Sequence, residues 1–222
     1  MTTHATDLIC FVLSAAALLA YQLYLNWRTR RDPASSAQDA MLQVRAAWVE
    51  SVMREQRDIL AVQTLRNSTM AASFMASTAI LLIIGVLSLS AQGERLSGTW
   101  HVLNFWGNVS AEVWLFKLLT MLFDLLFAFF AFSMSVRLYH HIGYSINVPM
   151  IPQPEQTRVQ RVVAQMNRAA AYYRIGMRAY YCIVPLLFWL FGPLQLLGST
   201  VALIAFLYHL DRAPRNDQDL MG

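Results

Sequence analysis

The chain carries at residues 67–93 the sequence NSTMAASFMASTAILLIIGVLSLSAQG, in which no aspartate, glutamate, lysine or arginine occurs. About 20 consecutive apolar residues are enough to cross the hydrocarbon core of a bilayer as a helix, since a helix satisfies its own backbone hydrogen bonds there. Three further stretches are comparably apolar, and they are residues 8–27, 113–139 and 179–210. The sequence therefore predicts an all-α membrane protein with four transmembrane helices.

The segments between these stretches are short, which predicts a single integral membrane domain over residues 1–222. The predicted spans are about residues 8–27, 69–92, 113–139 and 179–209, and the outer loop is residues 93–112. Apolar residues at helical spacing precede the second and fourth spans, and no glycine or proline interrupts residues 34–84. We therefore expect cytoplasmic helical extensions of these two spans, at about residues 36–66 and 155–178, with a joint near Asn67–Thr69.

Basic residues are distributed unevenly among the segments outside the spans. Residues 28–66 and 137–178 hold thirteen arginines, whereas the other connecting and terminal segments hold three. Cytoplasmic loops of membrane proteins carry an excess of arginine and lysine. The connections 28–66 and 140–178 are therefore predicted to be cytoplasmic, with both termini outside, in a cell inner membrane. Arg212 and Arg215 in the C-terminal tail run against this rule.

Four short strings carry a family resemblance. They are AVQTLRNSTMAA (61–72), ASTAILLI (76–83), GMRAYY (176–181) and PLLFWLFGP (185–193). In these strings, and over roughly residues 8–210, the chain resembles the bacterial and plant membrane family catalogued as domain-of-unknown-function family 599. The resemblance implies a four-span membrane protein. It implies no activity, so no functional residue is carried over from it.

The fourth apolar stretch contains Pro185 and the pair Gly192-Pro193. Proline lacks the N–H group that continues a helix, and it therefore kinks a span and frees carbonyl groups for bonding elsewhere. We expect a kink at this point that serves packing.

Lys117, Thr120 and Asp124 are spaced to share one face of the third span. A charge near the middle of a bilayer is costly, so Asp124 should face the helix bundle or an aqueous path. Three interpretations of Asp124 are open: a structural hydrogen bond or ion pair, a place on a conduction or proton path, or a catalytic role. The structural interpretation offers four partners, namely Lys117, Ser73, Ser77 and Gln195.

The histidines show no metal-binding spacing. His140 and His141 are adjacent at the cytoplasmic end of the third span, so they point to different helix faces. His4, His101 and His209 could gather on the outer side with Asp7, Glu112 or Asp211, but interfacial polar residues are the simpler interpretation. We predict no metal site and no cofactor.

The second cytoplasmic extension carries five arginines, Arg158, Arg161, Arg168, Arg174 and Arg178. Such a row can bind the anionic headgroups of the lipid bilayer, or it can be a solvated face that sets topology. A nucleic-acid partner is not expected, because the patch is small and tied to the membrane.

Small residues mark helix faces that allow close approach, as in Ala16-x-x-x-Ala20 and Ser73-x-x-x-Ser77. Together with the apolar stripes of the extensions, these faces predict a homo-oligomer. We expect a non-enzymatic protein that acts as a channel for an ion or small solute, or as a membrane scaffold. The rival hypothesis is a membrane enzyme that uses Asp124, His140 or His141 on a lipid-like substrate.

Overall fold

The computed structural model describes residues 2–31, 37–91, 111–146 and 155–211. Six helices account for nearly all of these residues: α1 (Thr2–Arg31), α2 (Ala37–Arg54), α3 (Asp58–Ala91), α4 (Ala111–Ile146), α5 (Glu155–Trp189) and α6 (Pro193–Leu210). Four helices contain a segment long and apolar enough to cross a membrane, namely α1, α3, α4 and α6. The prediction of an all-α membrane protein with four apolar helices is confirmed. Most of the predicted outer loop lies outside the described residues.

The first extension is separated from the second span at residues 55–57, and the predicted joint at Asn67–Thr69 is wrong. The N–H group of Arg57 donates to the Val52 carbonyl, and Gln56 between them has a φ of 51°. This six-to-one bond around a left-handed residue is the Schellman arrangement that ends helices. No glycine marks it, which is why the sequence did not reveal it. Ser68 instead bonds its own helix at the Thr64 carbonyl.

The chain divides into two compact units. The first unit contains the described parts of residues 1–40, 86–122 and 181–222, and the second unit contains residues 41–85 and 123–180.

In the first unit, α1 and α6 lie side by side and run in the same direction. The start of α1 contacts the residue that ends α5, because the Phe11 and Trp189 rings are stacked at 4.7 Å. Ten residues later, Tyr21 packs against Leu203 and Leu207 near the end of α6. The hydroxyl group of Tyr21 also donates to Asp211 Oδ2 over 2.9 Å.

The end of α5 and the whole of α6 form an antiparallel hairpin, so the expected kink is in fact a reversal of the chain. The rings of Tyr181 and Phe206 are 6.1 Å apart, whereas a continuous helix would separate these residues by about 37 Å. The turn is residues 190–192, where Gly192 has a φ of 148° and Pro193 starts α6. A Cβ atom at Gly192 would lie 2.5 Å from Gln195 Oε1. The predicted span 179–209 is thus divided between two helices of opposite direction.

In the second unit, the apolar stripes of α2 and α5 cover each other with help from α3 and α4. One core joins residues from all four helices: Val49, Val52, Met53, Ala61, Leu65, Tyr139, Ile142, Ile146, Val162, Met166 and Ala169. Trp48 packs against the edge of this core. The central part of the α2 stripe is therefore buried within one chain, whereas Met41 and Val44 near the start of α2 stay exposed. This burial weakens one reason for expecting an oligomer.

A second core in the same unit depends on small residues. Ala76, Ala128 and Ala179 surround the buried Phe132 ring. A Cβ atom at Gly176 would lie 2.8 Å from that ring, so only glycine allows α5 to approach α4 this closely. Nearby, the Ser135 hydroxyl donates to the Ala169 carbonyl over 2.9 Å.

Candidate functional site

Three polar groups from three helices meet in the interior of the first unit. The ammonium group of Lys117 lies 3.0 Å from Asp7 Oδ1 and donates to the Trp189 carbonyl over 3.0 Å. The indole N–H of Trp189 donates to the same Asp7 oxygen over 3.0 Å. The exposed fractions of Lys117, Trp189 and Asp7 are 0%, 1% and 8%. We call these three residues the Asp7–Lys117–Trp189 cluster.

The turn after α5 explains why the Trp189 carbonyl is available. In a continuous helix this oxygen would accept from the N–H group four residues later, but that residue is Pro193. The N–H group of Gly192 reaches the oxygen over 3.2 Å in a tighter turn, and one lone pair remains. Lys117 uses it. The expectation that the prolines free a carbonyl for bonding elsewhere is confirmed at Trp189.

Aromatic rings enclose the cluster. Phe11 stacks on Trp189, and the edge of Phe116 meets both rings at 5.6 and 5.9 Å. The Lys117 ammonium lies 5.4 Å from the centre of the Trp189 ring. Because the cluster is buried, the two charges attract each other strongly, and removing either one would leave the other buried without a counter-charge. The arrangement can hold three helices in register, but all of its charges are already paired, so it does not offer a free acid or base.

Sequence reasoning selected Lys117 but not its partners. Neither Asp7 nor Trp189 was predicted as a partner of Lys117. A usable signal was present, because Asp7 begins the first span and Lys117 lies near the start of the third. In the predicted topology the two spans enter the membrane from the same side, which places these opposite charges at a similar depth. The interpretation of Lys117 as the partner of Asp124 is replaced by its bond to Asp7.

Asp124 belongs to the second unit and is half-buried on α4. Its Oδ2 atom is shielded from solvent and has no hydrogen-bond partner among the residues that the structure describes. Ser73 and Ser77, two of the expected partners, are exposed on α3. The hydrogen bond required by the structural interpretation is thus missing at this oxygen.

Thr120, the third residue of the predicted polar face, belongs to the first unit and does not join the cluster. Its hydroxyl donates to the Phe116 carbonyl one turn earlier, over 2.8 Å. Lys117 and Thr120 therefore share a helix but do not form one site, and Asp124 belongs to the second unit.

The five arginines of α5 differ in their exposure. Arg161 and Arg168 are exposed, and the Arg168 guanidinium lies 6.0 Å from the centre of the Tyr172 ring. Arg158, Arg174 and Arg178 are half-buried. Arg161 and Arg168 are therefore the two of the five side chains with the most solvent-accessible surface.

An open groove of about 500 Å³ lies between α2 and α5 in the second unit. Its lining mixes charged, amide and small apolar side chains: Ala46, Glu50, Arg54, Gln156, Val159, Gln160, Val163, Ala164 and Asn167. Beside it, Arg45 donates to Asn167 Oδ1 over 2.9 Å, and burial lowers the pKa of the Arg45 guanidinium. Sequence reasoning missed this groove, because it depends on how α2 and α5 pack against each other.

His140 and His141 are exposed at the end of α4. Over the described parts of the chain, no group of three histidine, cysteine, aspartate or glutamate residues is placed to hold a metal ion. The side chain of His4 and the whole of His101 lie outside those parts.

The comparisons with known proteins give a family and no activity. A family profile described as "Protein of unknown function, DUF599" matches residues 9–216. No curated protein matches the chain. No solved structure matches it either.

Proposed function

Since the chain belongs to the DUF599 family of proteins of unknown function, we propose a function from its geometry: a non-enzymatic channel. In this proposal the protein self-associates in the inner membrane and conducts a cation or another small solute past Asp124. The arginine-rich connections lie in the cytoplasm.

The observation that carries the proposal is the Asp124 Oδ2 atom within the apolar part of α4, which has no hydrogen-bond partner in the described part of the chain. A buried polar atom without a hydrogen bond costs free energy, and an ionisable residue inside a membrane usually marks a functional path. A passing cation, a proton or a hydrated solute would supply the missing partner. The polar atoms of the Asp7–Lys117–Trp189 cluster, by contrast, already bond one another.

Self-association is proposed because one chain offers few helices with which to surround a path. Two small-residue faces remain available for contact between copies. Ala16 and Ala20 are exposed on α1, and Ser73 and Ser77 are exposed on α3. Such faces let helices in lipid approach closely.

The rival hypothesis, a membrane enzyme, has less support. His140 lies 16 residues after Asp124 on the same uninterrupted helix, a distance of about 24 Å along its axis. General acid–base partners must come within hydrogen-bond reach of one reacting group, so Asp124 and His140 of one chain cannot serve one active site.

The test is flux through purified protein in sealed liposomes, with K⁺, protons and a small neutral solute as probes. Wild-type protein should carry at least one of them, and Asp124→Asn should reduce that flux by tenfold or more. The matched control is Asp58→Asn, which makes the same change at an exposed position at the start of α3. Absence of flux for all three probes, or equal flux for Asp124→Asn and wild type, would overturn the proposal.

A scaffold is the second candidate, and the α2–α5 groove favours it. The groove is open and presents a carboxylate, a guanidinium and three amides, which suits a polar segment of another protein. The double variant Gln156→Leu with Gln160→Leu should abolish cross-linking of a partner to Cys introduced at Ala164, while flux is unchanged. Persistent cross-linking in the double variant would contradict this role.

Anionic lipid is the proposed partner of the exposed Arg161 and Arg168. Retention of phosphatidylglycerol during purification should fall at least twofold in Arg161→Gln with Arg168→Gln. The control is Arg54→Gln, which removes an exposed arginine of α2 that is paired with Glu50. Equal retention in the two variants would count against a lipid site on α5.

A further inference from the structure

We infer that the chain crosses the membrane five times and that its C-terminal end lies on the cytoplasmic side, opposite to the N-terminus. This differs from the topology expected from the charge distribution, in which four crossings return the C-terminus to the outer side.

The inference rests first on the direction of α6 relative to α1. The stacked pair Phe11 and Trp189 fixes the beginning of α6 near the beginning of α1. The hydrogen bond from Tyr21 to Asp211 fixes the end of α6 farther along α1. If α1 enters the membrane from the outside, α6 also enters from the outside and ends on the inner side.

The second step concerns how the chain reaches the start of α6. The connection 140–178 is cytoplasmic by its arginines, whereas Trp189 lies beside Asp7 near the outer end of α1. Some segment must carry the chain outward between them. Among the residues that the structure describes after α4, α5 is the helix that can do so, since it runs without interruption from Glu155 to Trp189.

The last part of α5 is suited to this crossing although it is less apolar than the other spans. The last 20 residues of α5, 170–189, are about as many as a 30 Å core requires, and they contain two charged residues, Arg174 and Arg178. Both lie in the half nearer the inner side, where an arginine side chain can reach towards the interface. At about 1.5 Å per residue, the 35 residues of α5 extend roughly 52 Å. This length covers both a cytoplasmic segment and a crossing of a core about 30 Å thick.

Five crossings also remove the one disagreement in the charge distribution. Arg212 and Arg215 directly follow α6, and a cytoplasmic C-terminus places them with the other arginines. Arg95 is then the only arginine or lysine left in an outer segment. Arg212 and Arg215 were not used to infer the direction of α6, and they agree with the direction that the contacts give.

The experiment uses single cysteines in the full chain with Cys10 and Cys182 replaced by alanine. An impermeant thiol reagent is applied to intact and to permeabilised cells. Ser97→Cys should be labelled in both, and Gln38→Cys only after permeabilisation. Gln218→Cys should behave like Gln38→Cys, with at least a fivefold increase on permeabilisation. Labelling of Gln218→Cys in intact cells, together with Ser97→Cys, would overturn the inference.

A second experiment tests the same topology without cysteine variants, in case these fail to insert into the membrane. In the wild-type chain, green fluorescent protein fused after Gly222 should fluoresce, and alkaline phosphatase fused there should be inactive, because the first matures in the cytoplasm and the second only outside it. The reverse pattern would overturn the inference even if no cysteine variant could be expressed.

Discussion

Lys117, the only lysine of the chain, bonds Asp7 at 3.0 Å across 110 positions of sequence, and both side chains are buried. The pair joins α1 to the start of α4, and the bond from Lys117 to the Trp189 carbonyl adds the end of α5. A charge pair inside a membrane protein is costly to assemble and costlier to break. Lys117 also donates to the Trp189 carbonyl, which has lost its usual helical donor because position 193 is a proline. The ammonium group and the carbonyl at the helix break therefore supply each other's missing hydrogen bond.

The first prediction concerns this pair. Lys117→Met should lower the free energy of unfolding by about 3–5 kcal/mol, because it leaves the Asp7 carboxylate buried without a cation. The double variant Asp7→Asn with Lys117→Met should recover part of the loss, since no unpaired charge remains. Unfolding in mild detergent, followed by tryptophan fluorescence, measures both.

Thr120→Val is the control for this experiment, because its hydroxyl bonds only its own helix and its loss should cost less than about 1 kcal/mol. Additive effects of Asp7→Asn and Lys117→Met would contradict the coupling of the two residues.

The second prediction tests which surface Trp48 covers. It packs on the core that α2 shares with α5, so Trp48→Glu should destabilise the monomer by about 1.5–3 kcal/mol. It should not dissociate an oligomer. Thermal unfolding and mass measurement in mild detergent distinguish these effects.

Val44→Glu provides the comparison, because Val44 lies one turn earlier on α2 and is 57% exposed. It should leave both stability and mass unchanged. A wild-type oligomer that Trp48→Glu converts to stable monomers would show that this patch meets another copy after all.

The number and type of apolar helices could be predicted from the sequence because each depends on a local run of apolar residues. The direction of α6 could not. A proline and a glycine permit either a kink or a reversal, and the choice between them was made by contacts such as Tyr181 with Phe206, far apart in sequence. Similarly, Lys117 was recognisable as a costly charge, but its partner depended on which helices become neighbours. The end of α2 could not be predicted from the sequence, because Gln56 adopts the left-handed conformation that glycine usually adopts at a helix end.

The third prediction uses two glycines in different surroundings. Gly176→Ala should destabilise the protein by about 1–3 kcal/mol, because the new methyl group would lie 2.8 Å from the Phe132 ring. Gly198→Ala, at a helical position with open space around it, should instead stabilise by about 0.5–1 kcal/mol. Melting temperatures that move in the same direction for both variants would contradict the close contact between α4 and α5.

The last prediction separates stability from function at Asp124. Because its Oδ2 atom has no hydrogen bond within the described structure, replacing the carboxylate should not weaken the fold. Asp124→Asn and Asp124→Leu should both melt at or above the wild-type temperature, since each removes a buried group whose charge is expensive in lipid. A structural hydrogen bond would give a different order, with Asp124→Leu losing about 1–3 kcal/mol relative to Asp124→Asn through its abandoned partner. Melting curves of the three proteins in one detergent decide between the two cases, and a selective loss in Asp124→Leu would return Asp124 to a purely structural role.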